Sequence, residues 1–298
     1  MASQNKDIGI KETIYDTVII GGGIAGLTAG YMLRDKNLLL LEREDRFGGR
    51  VCSEKVGQVT NNIGTQFFTE EDTSFVHLID ELDIKRVTHN PTSLPMALYL
   101  NSKLYKDVSS LLSPRVIFDA IRFLSRIYRK QKIFQLPIDD PSFRKLAAKD
   151  GTEFQKGYSP AFMSLVNGYM RGACVSKPER TSAVMWAHLA QDVYKTGDMA
   201  FVTGGFQKIT DGLAEKLEGR VMSGAMVSRV EETDGIVTTC FQKDGKDHII
   251  KSKSAVVAVP SPLVSKLIPA LPDWKKEALE KVMYGPLIIL SVFLKRDI

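Results

Sequence analysis

Three glycines, Gly21, Gly23 and Gly26, have the spacing of a site that holds nucleotide phosphates. In that pattern the first glycine permits a tight turn, the second lets the backbone approach a pyrophosphate, and the third lets a helix pack closely on a strand. An acid, Glu42, follows about twenty residues after the first glycine, where a carboxylate accepts hydrogen bonds from ribose hydroxyls. These residues predict a dinucleotide site.

The segments around the glycines predict the elements that position them. Residues 17–20 are a β-branched run, which is typical of a parallel strand buried on both faces. Residues 25–34 predict a helix whose free N–H groups, beginning near Ile24 and Ala25, point at the phosphates. Residues 38–41 predict a second strand that ends at the acid. The complete strand, turn, helix and acid indicates dinucleotide binding more specifically than the glycines alone.

A second glycine pair with an arginine, Gly48, Gly49 and Arg50, follows the acid after a short loop. A nicotinamide dehydrogenase needs only the first glycine motif, whereas a longer, extended cofactor needs backbone approach at a second place. The pair therefore favours a flavin dinucleotide. The alternatives are that the pair is an ordinary turn, and that the protein is a nicotinamide-dependent dehydrogenase.

These motifs resemble those of the flavin-containing amine oxidoreductase superfamily, which includes monoamine and polyamine oxidases, protoporphyrinogen oxidases and phytoene-type desaturases. The resemblance covers about residues 16–70 and 200–298, and it includes the segment Asn-Ile-Gly-Thr-Gln at residues 62–66. It implies that Glu42 binds the adenosine ribose and that Arg50 lies along the pyrophosphate and ribityl region. The cofactor implied is FAD, and its expected binding residues are Gly21, Gly23, Ile24, Ala25, Gly26, Glu42, Arg43, Gly48, Gly49, Arg50, Gly64, Thr65, Gln66 and Val227.

A second block, residues 203–217, resembles the family segment that returns the chain to the cofactor domain. Its apolar residues Ile209, Leu213 and Leu217 recur every four positions, which predicts a helix with one apolar face. A strand begins near Val227, whose backbone contacts the adenine by resemblance. Further strands are predicted at residues 235–241, 247–251 and 255–260, the first two of them as a hairpin around a glycine turn.

The predicted fold is α/β: a Rossmann-like FAD-binding domain with an inserted, mainly helical substrate domain and a β-hairpin or meander. The FAD-binding domain takes residues 16–90 and 204–270, after a flexible lead of residues 1–15. The substrate domain takes residues 91–203 and 271–298, because the strand pattern gives way there to helical segments divided by prolines.

Composition narrows the class of protein. The 298 residues are 44% hydrophobic and 25% charged, which is typical of an ordinary globular protein. A net charge of +5 without a recognised motif gives little support to nucleic-acid binding. The three cysteines and four histidines lack metal-ligand spacing, so we expect no metal and a reduced, cytoplasmic setting. No apolar run reaches the roughly 20 residues of a spanning helix.

Residues 113–131 predict a basic amphipathic helix. Ile117, Ile121, Leu124 and Tyr128 share one face, and the arginines lie largely elsewhere. Two interpretations stay open. The helix packs this face on its own core, or it makes a peripheral contact with an anionic membrane, in keeping with a small, lipophilic substrate.

One departure from the superfamily bears on the reaction. Its amine oxidases commonly carry a lysine near the flavin N5, on a strand that we place at residues 286–294, and Ile289 takes that position here. The family also continues beyond the equivalent of residue 298, so we expect the substrate domain to be incomplete.

The resulting functional prediction is an FAD-dependent oxidoreductase that transfers a hydride from a substrate carbon to the flavin, in a desaturase-like or protoporphyrinogen-oxidase-like reaction. No side chain can be named as catalytic from the sequence. The alternatives are a flavin amine oxidase and a non-catalytic or split-enzyme FAD-binding subunit whose partner chain supplies the C-terminal region.

Overall fold

The computed structural model describes residues 14–89, 98–100, 102–105, 111–174, 177–188, 198–285, 288–291 and 293. Residues 1–13 of the predicted lead lie outside them. The strands are β1 (Tyr15–Ile20), β2 (Leu38–Leu41), β3 (Ser53–Val56), β4 (Val59–Asn62), β5 (Phe68–Thr69), β6 (Arg86–His89), β7 (Leu98–Leu100), β8 (Lys103–Tyr105), β9 (Met199–Val202), β10 (Val221–Met222), β11 (Met226–Thr233), β12 (Ile236–Lys243) and β13 (Lys246–Val257). The α-helices are α1 (Ile24–Met32), α2 (Thr73–Glu81), α3 (Pro114–Phe134), α4 (Pro141–Ala147), α5 (Pro160–Cys174), α6 (Gln207–Lys216), α7 (Ser261–Leu267) and α8 (Asp273–Glu280).

The described chain divides into two compact units. One contains the described residues of 1–88, 200–284 and 289–298, and the other contains those of 89–199 and 285–288. The first unit is built on a six-stranded sheet in the order β10-β2-β1-β13-β12-β11. Its first four strands are mutually parallel, and β12 and β11 extend the sheet as antiparallel neighbours. The predicted α/β class is confirmed.

The centre of this sheet is buried on both faces because successive side chains of a strand point to opposite sides. Ile19 and Leu40 belong to the apolar cluster that includes Leu27 of α1 and Leu213 of α6. Their neighbours along the strands, represented by Ile20, belong to the cluster on the other face. An uninterrupted apolar run is therefore what the parallel centre of the sheet requires.

The antiparallel part of the sheet differs from the prediction at one point. The hairpin of β12 and β13 has the predicted glycine turn, with Lys243 opposite Lys246. The two further strands predicted at residues 247–251 and 255–260 are a single strand, β13. Ser252 pairs with Val237 of β12 on one side and with Tyr15 of β1 on the other, so β13 continues from the hairpin into the parallel sheet.

The second unit has a helical core of its own. Phe123 of α3 and the fully buried Phe154 both pack against Trp186, with ring centroids 5.6 Å and 6.0 Å away. Helix α3 buries a row that includes Val116 and Ile127. Helix α3 does pack on its own core, but largely with a different face from the predicted one. Of the predicted face, Leu124 packs against the core, whereas Ile117, Ile121 and Tyr128 are exposed, because the row that begins at Val116 has the same helical periodicity and is the one buried.

The prediction of a strand at residues 286–294 is also wrong for residues 288–291, which the structure describes. Residues 288–291 are irregular, and the side chains of Ile288 and Leu290 are 93% and 84% exposed. No described strand pairs with this segment, so its backbone lacks the ladder hydrogen bonds that define a strand. Among the described helices, none is both long and apolar enough to cross a bilayer.

Candidate functional site

The first glycine turn lies where β1 ends. Gly21 has a φ of +105°, and a β carbon there would stand 2.7 Å from the carbonyl oxygen of Ala258, just beyond β13. A β carbon at Gly26 would stand only 1.9 Å from the carbonyl oxygen of Gly21. Both positions therefore require glycine, one for its backbone conformation and both for close backbone approach. This is the packing that the sequence predicts for Gly21 and Gly26.

The start of α1 leaves room in front of the backbone. A β carbon at Gly23 would have no other part of the described chain within 4 Å, so space there is open. Gly23 is also the N-cap, no side chain caps the helix, and no acid occupies its first turn. Ile24 and Ala25 follow as the first two helical residues. Because uncapped helical N–H groups and the positive end of the helix dipole favour an anion, this start suits a pyrophosphate.

Glu42 ends β2 as a buried acid against the glycine turn. Its Oε2 accepts the backbone N–H of Gly22 at 2.5 Å, and its Oε1 accepts the N–H of Glu44 at 2.9 Å. A carboxylate has about four acceptor positions, so each oxygen keeps capacity for a ribose hydroxyl. The structure therefore fixes the orientation of Glu42 beside the first glycine turn.

The second glycine pair packs directly on the first motif. Gly48 donates its N–H to the carbonyl oxygen of Gly22 at 2.8 Å and forms an isolated parallel bridge with Gly23. A β carbon at Gly49 would stand 3.3 Å from the Cα of Gly23. Both residues of the pair have positive φ, at +113° and +56°. The side chain of Arg46 donates to the Gly49 carbonyl at 3.1 Å and so supports the loop.

The chain that follows the second glycine pair folds back onto Arg50 at Gly64 and Thr65. The N–H of Thr65 donates to the carbonyl oxygen of Arg50 at 3.2 Å, and a β carbon at Gly64 would stand 1.7 Å from the same oxygen. Gln66 Nε2 donates to the carbonyls of Asn62 and Gly64 at 2.7 and 3.1 Å. The side chains of Arg50 and Gln66 are exposed. Gly64 and Thr65 are thus held against Arg50 of the second motif through the backbone.

Arg43 follows Glu42 in the chain, and Val227 belongs to a segment that is hydrogen-bonded to Glu42. The Arg43 guanidinium pairs with Glu44 at 2.9 Å on an exposed surface. The N–H of Ala225 donates to the Glu42 carbonyl at 2.7 Å, and Val227 lies two residues farther along, in β11. A β-bulge follows Val227, where the register with β12 shifts. The chain segment that carries Val227 is therefore bonded to the acidic end of β2.

Two polar residues that the sequence analysis missed connect the second block to the first. Helix α6 begins without a side-chain cap of its own. The N–H of Phe206 donates to Asn62 Oδ1 at 3.2 Å, and the N–H of Gln207 donates to Ser53 Oγ at 3.1 Å. The Ser53 hydroxyl also donates to Asn62 Oδ1 at 2.7 Å. Strands β3 and β4 therefore cap α6, and only the position of Asn62 in the quoted motif hinted at this.

A further polar contact lies beyond the carboxyl end of β13. The Tyr284 hydroxyl accepts the backbone N–H of Ser261 at 3.0 Å and lies 3.2 Å from its side-chain oxygen. These two bonds hold the pKa of the Tyr284 phenol below its ordinary value, and the charge of Arg50 lowers it further. The tyrosine is thus electrostatically linked to the second motif, which no local sequence pattern indicated.

The donors and acceptors of this site suit a dinucleotide rather than a metal. In the part of the chain that the structure describes, no three His, Cys, Asp or Glu side chains are grouped as a metal site. The site instead combines backbone N–H groups, an open glycine and one buried carboxylate, which match the pyrophosphate and ribose of a dinucleotide.

Comparison with known proteins identifies the protein family to which this chain, with its dinucleotide site, belongs. Residues 24–298 match the sequence model described as "Flavin containing amine oxidoreductase". The chain belongs to this family. The predicted family, and with it FAD as the cofactor of the family, is therefore confirmed. The cytoplasmic setting stays a prediction.

Individual relatives of the family are distant. The "Probable flavin-containing monoamine oxidase A" of Dictyostelium discoideum is 24% identical, over 93% of this chain and 64% of its own length. "Protoporphyrinogen oxidase 1, chloroplastic" of Spinacia oleracea is 23% identical, over 97% of this chain and 59% of its own. A solved putrescine oxidase with bound putrescine superposes with a TM-score of 0.76 at 21% identity, over 90% of this chain and 63% of that one. The chain thus spans about six-tenths of the length of the proteins it matches.

Proposed function

We propose that this chain binds FAD at the two glycine motifs and forms the cofactor-binding part of an oxidoreductase that takes a hydride from a carbon of its substrate. The open position in front of Gly23 carries the proposal. At Gly26, by contrast, a β carbon would meet backbone at 1.9 Å. The motif thus combines close packing behind the turn with empty space in front of it, where a pyrophosphate needs to approach.

The remaining contacts support an extended cofactor. Glu42 would hold the adenosine ribose, since its carboxylate is already oriented by Gly22 and Glu44. Arg50 would lie along the pyrophosphate and ribityl region, and residues 64–66 would border the flavin ring. When bound, the flavin supplies the acceptor for the hydride, which no amino-acid side chain provides. The protein's part is to bind and orient the cofactor and to exclude water from it.

The reaction we favour is a desaturase-like or protoporphyrinogen-oxidase-like one. Its support is the sequence resemblance: Ile289 stands where amine oxidases of this family commonly carry a lysine near the flavin N5, and an isoleucine cannot supply that amine. Ile289 lies in an irregular segment and is 39% exposed. The second candidate is a flavin amine oxidase, supported by the names of several relatives. The third is a subunit that binds FAD and acts only with a partner chain.

Cofactor binding is tested by the visible spectrum of the purified chain after addition of FAD, with Gly23→Asp and Gly219→Asp as a matched pair. Gly219 is an exposed turn glycine whose added β carbon also meets nothing within 4 Å, and its φ of +76° is one that Asp adopts more readily than most residues. It precedes β10 and so lies at the opposite end of the parallel strands. We expect Gly23→Asp to lose FAD, because its carboxylate enters the pyrophosphate position, and Gly219→Asp to bind normally. Normal FAD binding by Gly23→Asp would overturn the placement of the site.

The reaction class is tested with the FAD-loaded chain under anaerobic conditions. Substrates that transfer a hydride bleach the visible flavin band, so porphyrinogens, polyenes, monoamines and polyamines can be compared directly. Bleaching by a porphyrinogen or polyene, and none by amines, would support the favoured reaction. Bleaching by amines would support the second candidate instead. If none of these substrates bleaches the flavin of the loaded chain, the result would support the third candidate, an FAD-binding subunit that acts only with a partner chain.

A further inference from the structure

Helix α3 carries an exposed apolar stripe beside the row that packs on its own core. We define the stripe as Ile117, Phe118, Ile121 and Tyr128, whose side chains are 45%, 53%, 63% and 62% exposed. At 3.6 residues per turn, Ile117, Ile121 and Tyr128 lie within about 40° of one another around the helix axis. Phe118 lies beside them on the same outward side. The stripe runs along three turns of a helix of 21 residues.

The stripe is not needed for the packing of α3. The buried row of the helix, which includes Val116, Phe123 and Ile127, lies on a different side and joins the apolar core of the unit. A surface helix of a globular protein normally presents polar residues on its outward side. A contiguous exposed apolar patch marks an interaction surface more often than it marks ordinary solvent-exposed surface.

The same helix has a large excess of positive charge. Its only acid, Asp119, is fully buried and is shared by Arg115 and Arg122, with nitrogen-oxygen distances of 3.3 and 3.6 Å. Glu153, on the neighbouring turn, is shared in the same way by three cations at 3.2 to 4.0 Å. Asp119 and Glu153 are thus outnumbered by the cations around them, so part of the positive charge is not neutralised. The helix contains six cations, which are Arg115, Arg122, Arg126, Arg129, Lys130 and Lys132.

We propose that α3 seats this chain on an anionic lipid surface. The stripe would enter the boundary between headgroups and acyl chains, and the flanking arginines would contact lipid phosphates. A helix of this length lies about 30 Å along the surface, which lets its apolar and basic residues act together. Tyr128 suits this depth, because an aromatic ring with a polar end is favoured at a membrane interface.

Charge favours this occupant over a second copy of the chain. Two copies of α3 facing each other would bring two sets of cations together, which costs electrostatic free energy. An anionic bilayer instead offers opposite charge beside an apolar layer. The proposal concerns where the chain is held in the cell, and it does not depend on the proposed reaction.

The test is co-sedimentation of the full chain with phosphatidylcholine vesicles, with and without phosphatidylserine. We expect substantial binding only to the phosphatidylserine vesicles, and weaker binding at high salt, because salt screens surface charges. Equal binding to both vesicle types, or to neither, would overturn the proposal. A concentration-dependent doubling of mass in solution, without vesicle binding, would assign the stripe to a second copy and would also overturn it.

Matched variants identify the residues responsible. The double variant Ile117→Ser with Ile121→Ser removes apolar surface, and Arg129→Glu reverses one charge. The controls make single changes of the same kind in the other unit: Ile249→Ser, at a residue 64% exposed on β13, and Lys246→Glu, at an exposed residue of the hairpin turn. We expect the α3 variants to lower vesicle partitioning by about tenfold each and the controls to leave it unchanged. Unchanged binding by both α3 variants, with unchanged circular dichroism, would place lipid binding elsewhere and contradict the proposal.

Discussion

Glu42 accepts the backbone N–H of Gly22 at 2.5 Å, so the acid at the end of β2 and the turn at the end of β1 are fixed to each other. The second oxygen of the carboxylate accepts the N–H of Glu44. Glu42 therefore has a structural role before any cofactor arrives. It orients the glycine turn, and in the proposed complex the same group would hold the ribose.

Replacing Glu42 tests both roles. In Glu42→Gln the amide oxygen can accept only one of the two backbone N–H groups, those of Gly22 and Glu44. The amide nitrogen then faces the other N–H, and two donors cannot form a hydrogen bond. We expect the free energy of unfolding to fall by about 1–3 kcal/mol, since a buried donor is left without a partner. The Kd for FAD should rise about tenfold or more. The measurements are chemical denaturation and flavin titration, with the exposed Glu44→Gln as control. A variant as stable and as tight as the parent would show that these hydrogen bonds contribute little.

The close packing behind the glycine turn gives a prediction about stability alone. A β carbon at Gly26 would overlap the Gly21 carbonyl, which is backbone and cannot rotate away. We expect Gly26→Ala to lower the free energy of unfolding by about 1–3 kcal/mol or more, as overpacking does elsewhere. Gly168→Ala, inside α5 where an added β carbon meets nothing within 4 Å, should be neutral or stabilising by up to about 1 kcal/mol. Thermal unfolding in the absence of FAD compares them. Equal melting temperatures would contradict the close approach at Gly26.

The glycine motifs were predictable from sequence because each of their requirements is local. Gly21 needs a positive φ at a strand end, and Gly26 needs a close approach five residues later, so the spacing itself carries the information. The acid at position 42 follows from the length of one helix and one strand. The structure of this part of the site therefore follows from a single continuous segment.

The capping of α6 and the orientation of α3 were not predictable in this way. Asn62 and Phe206 are 144 residues apart, and nothing near either residue specifies the other. In α3 two rows, one through Val116 and one through Ile117, both repeat with helical spacing. Helical periodicity could not decide which row is buried, because the choice depends on the aromatic core contributed by other segments.

The capping of α6 by β3 gives a prediction about a residue that the sequence left unremarked. Ser53 accepts the N–H of Gln207 and donates to Asn62, so Ser53→Ala removes one hydrogen bond to the start of the helix and one that orients Asn62, which also caps it. We expect a loss of about 1–2 kcal/mol in the free energy of unfolding, the usual cost of losing a helix cap. Ser53→Thr keeps the hydroxyl and is the matched variant. If denaturant unfolding gives Ser53→Ala the stability of the parent chain, the hydroxyl does not act as a cap.

The buried carboxylate of the helical unit predicts how that unit responds to acid. Hydrogen bonds from Ser159 hold the pKa of Asp119 below its ordinary value of 3.8, and the charge of Arg115 lowers it further. Because the pKa in the folded protein is below that of the unfolded chain, ionised Asp119 stabilises the unit above about pH 3.8, and this contribution is lost as the pH falls toward the folded value. We expect Asp119→Asn to be less stable than the parent at neutral pH and to lose less stability on acidification. Fluorescence of Trp186, which is 1% exposed in this core, reports its unfolding once Trp274 of the other unit is replaced by Phe. Parallel stability curves for parent and variant between neutral and acidic pH would show that Asp119 is not ionised in the folded protein.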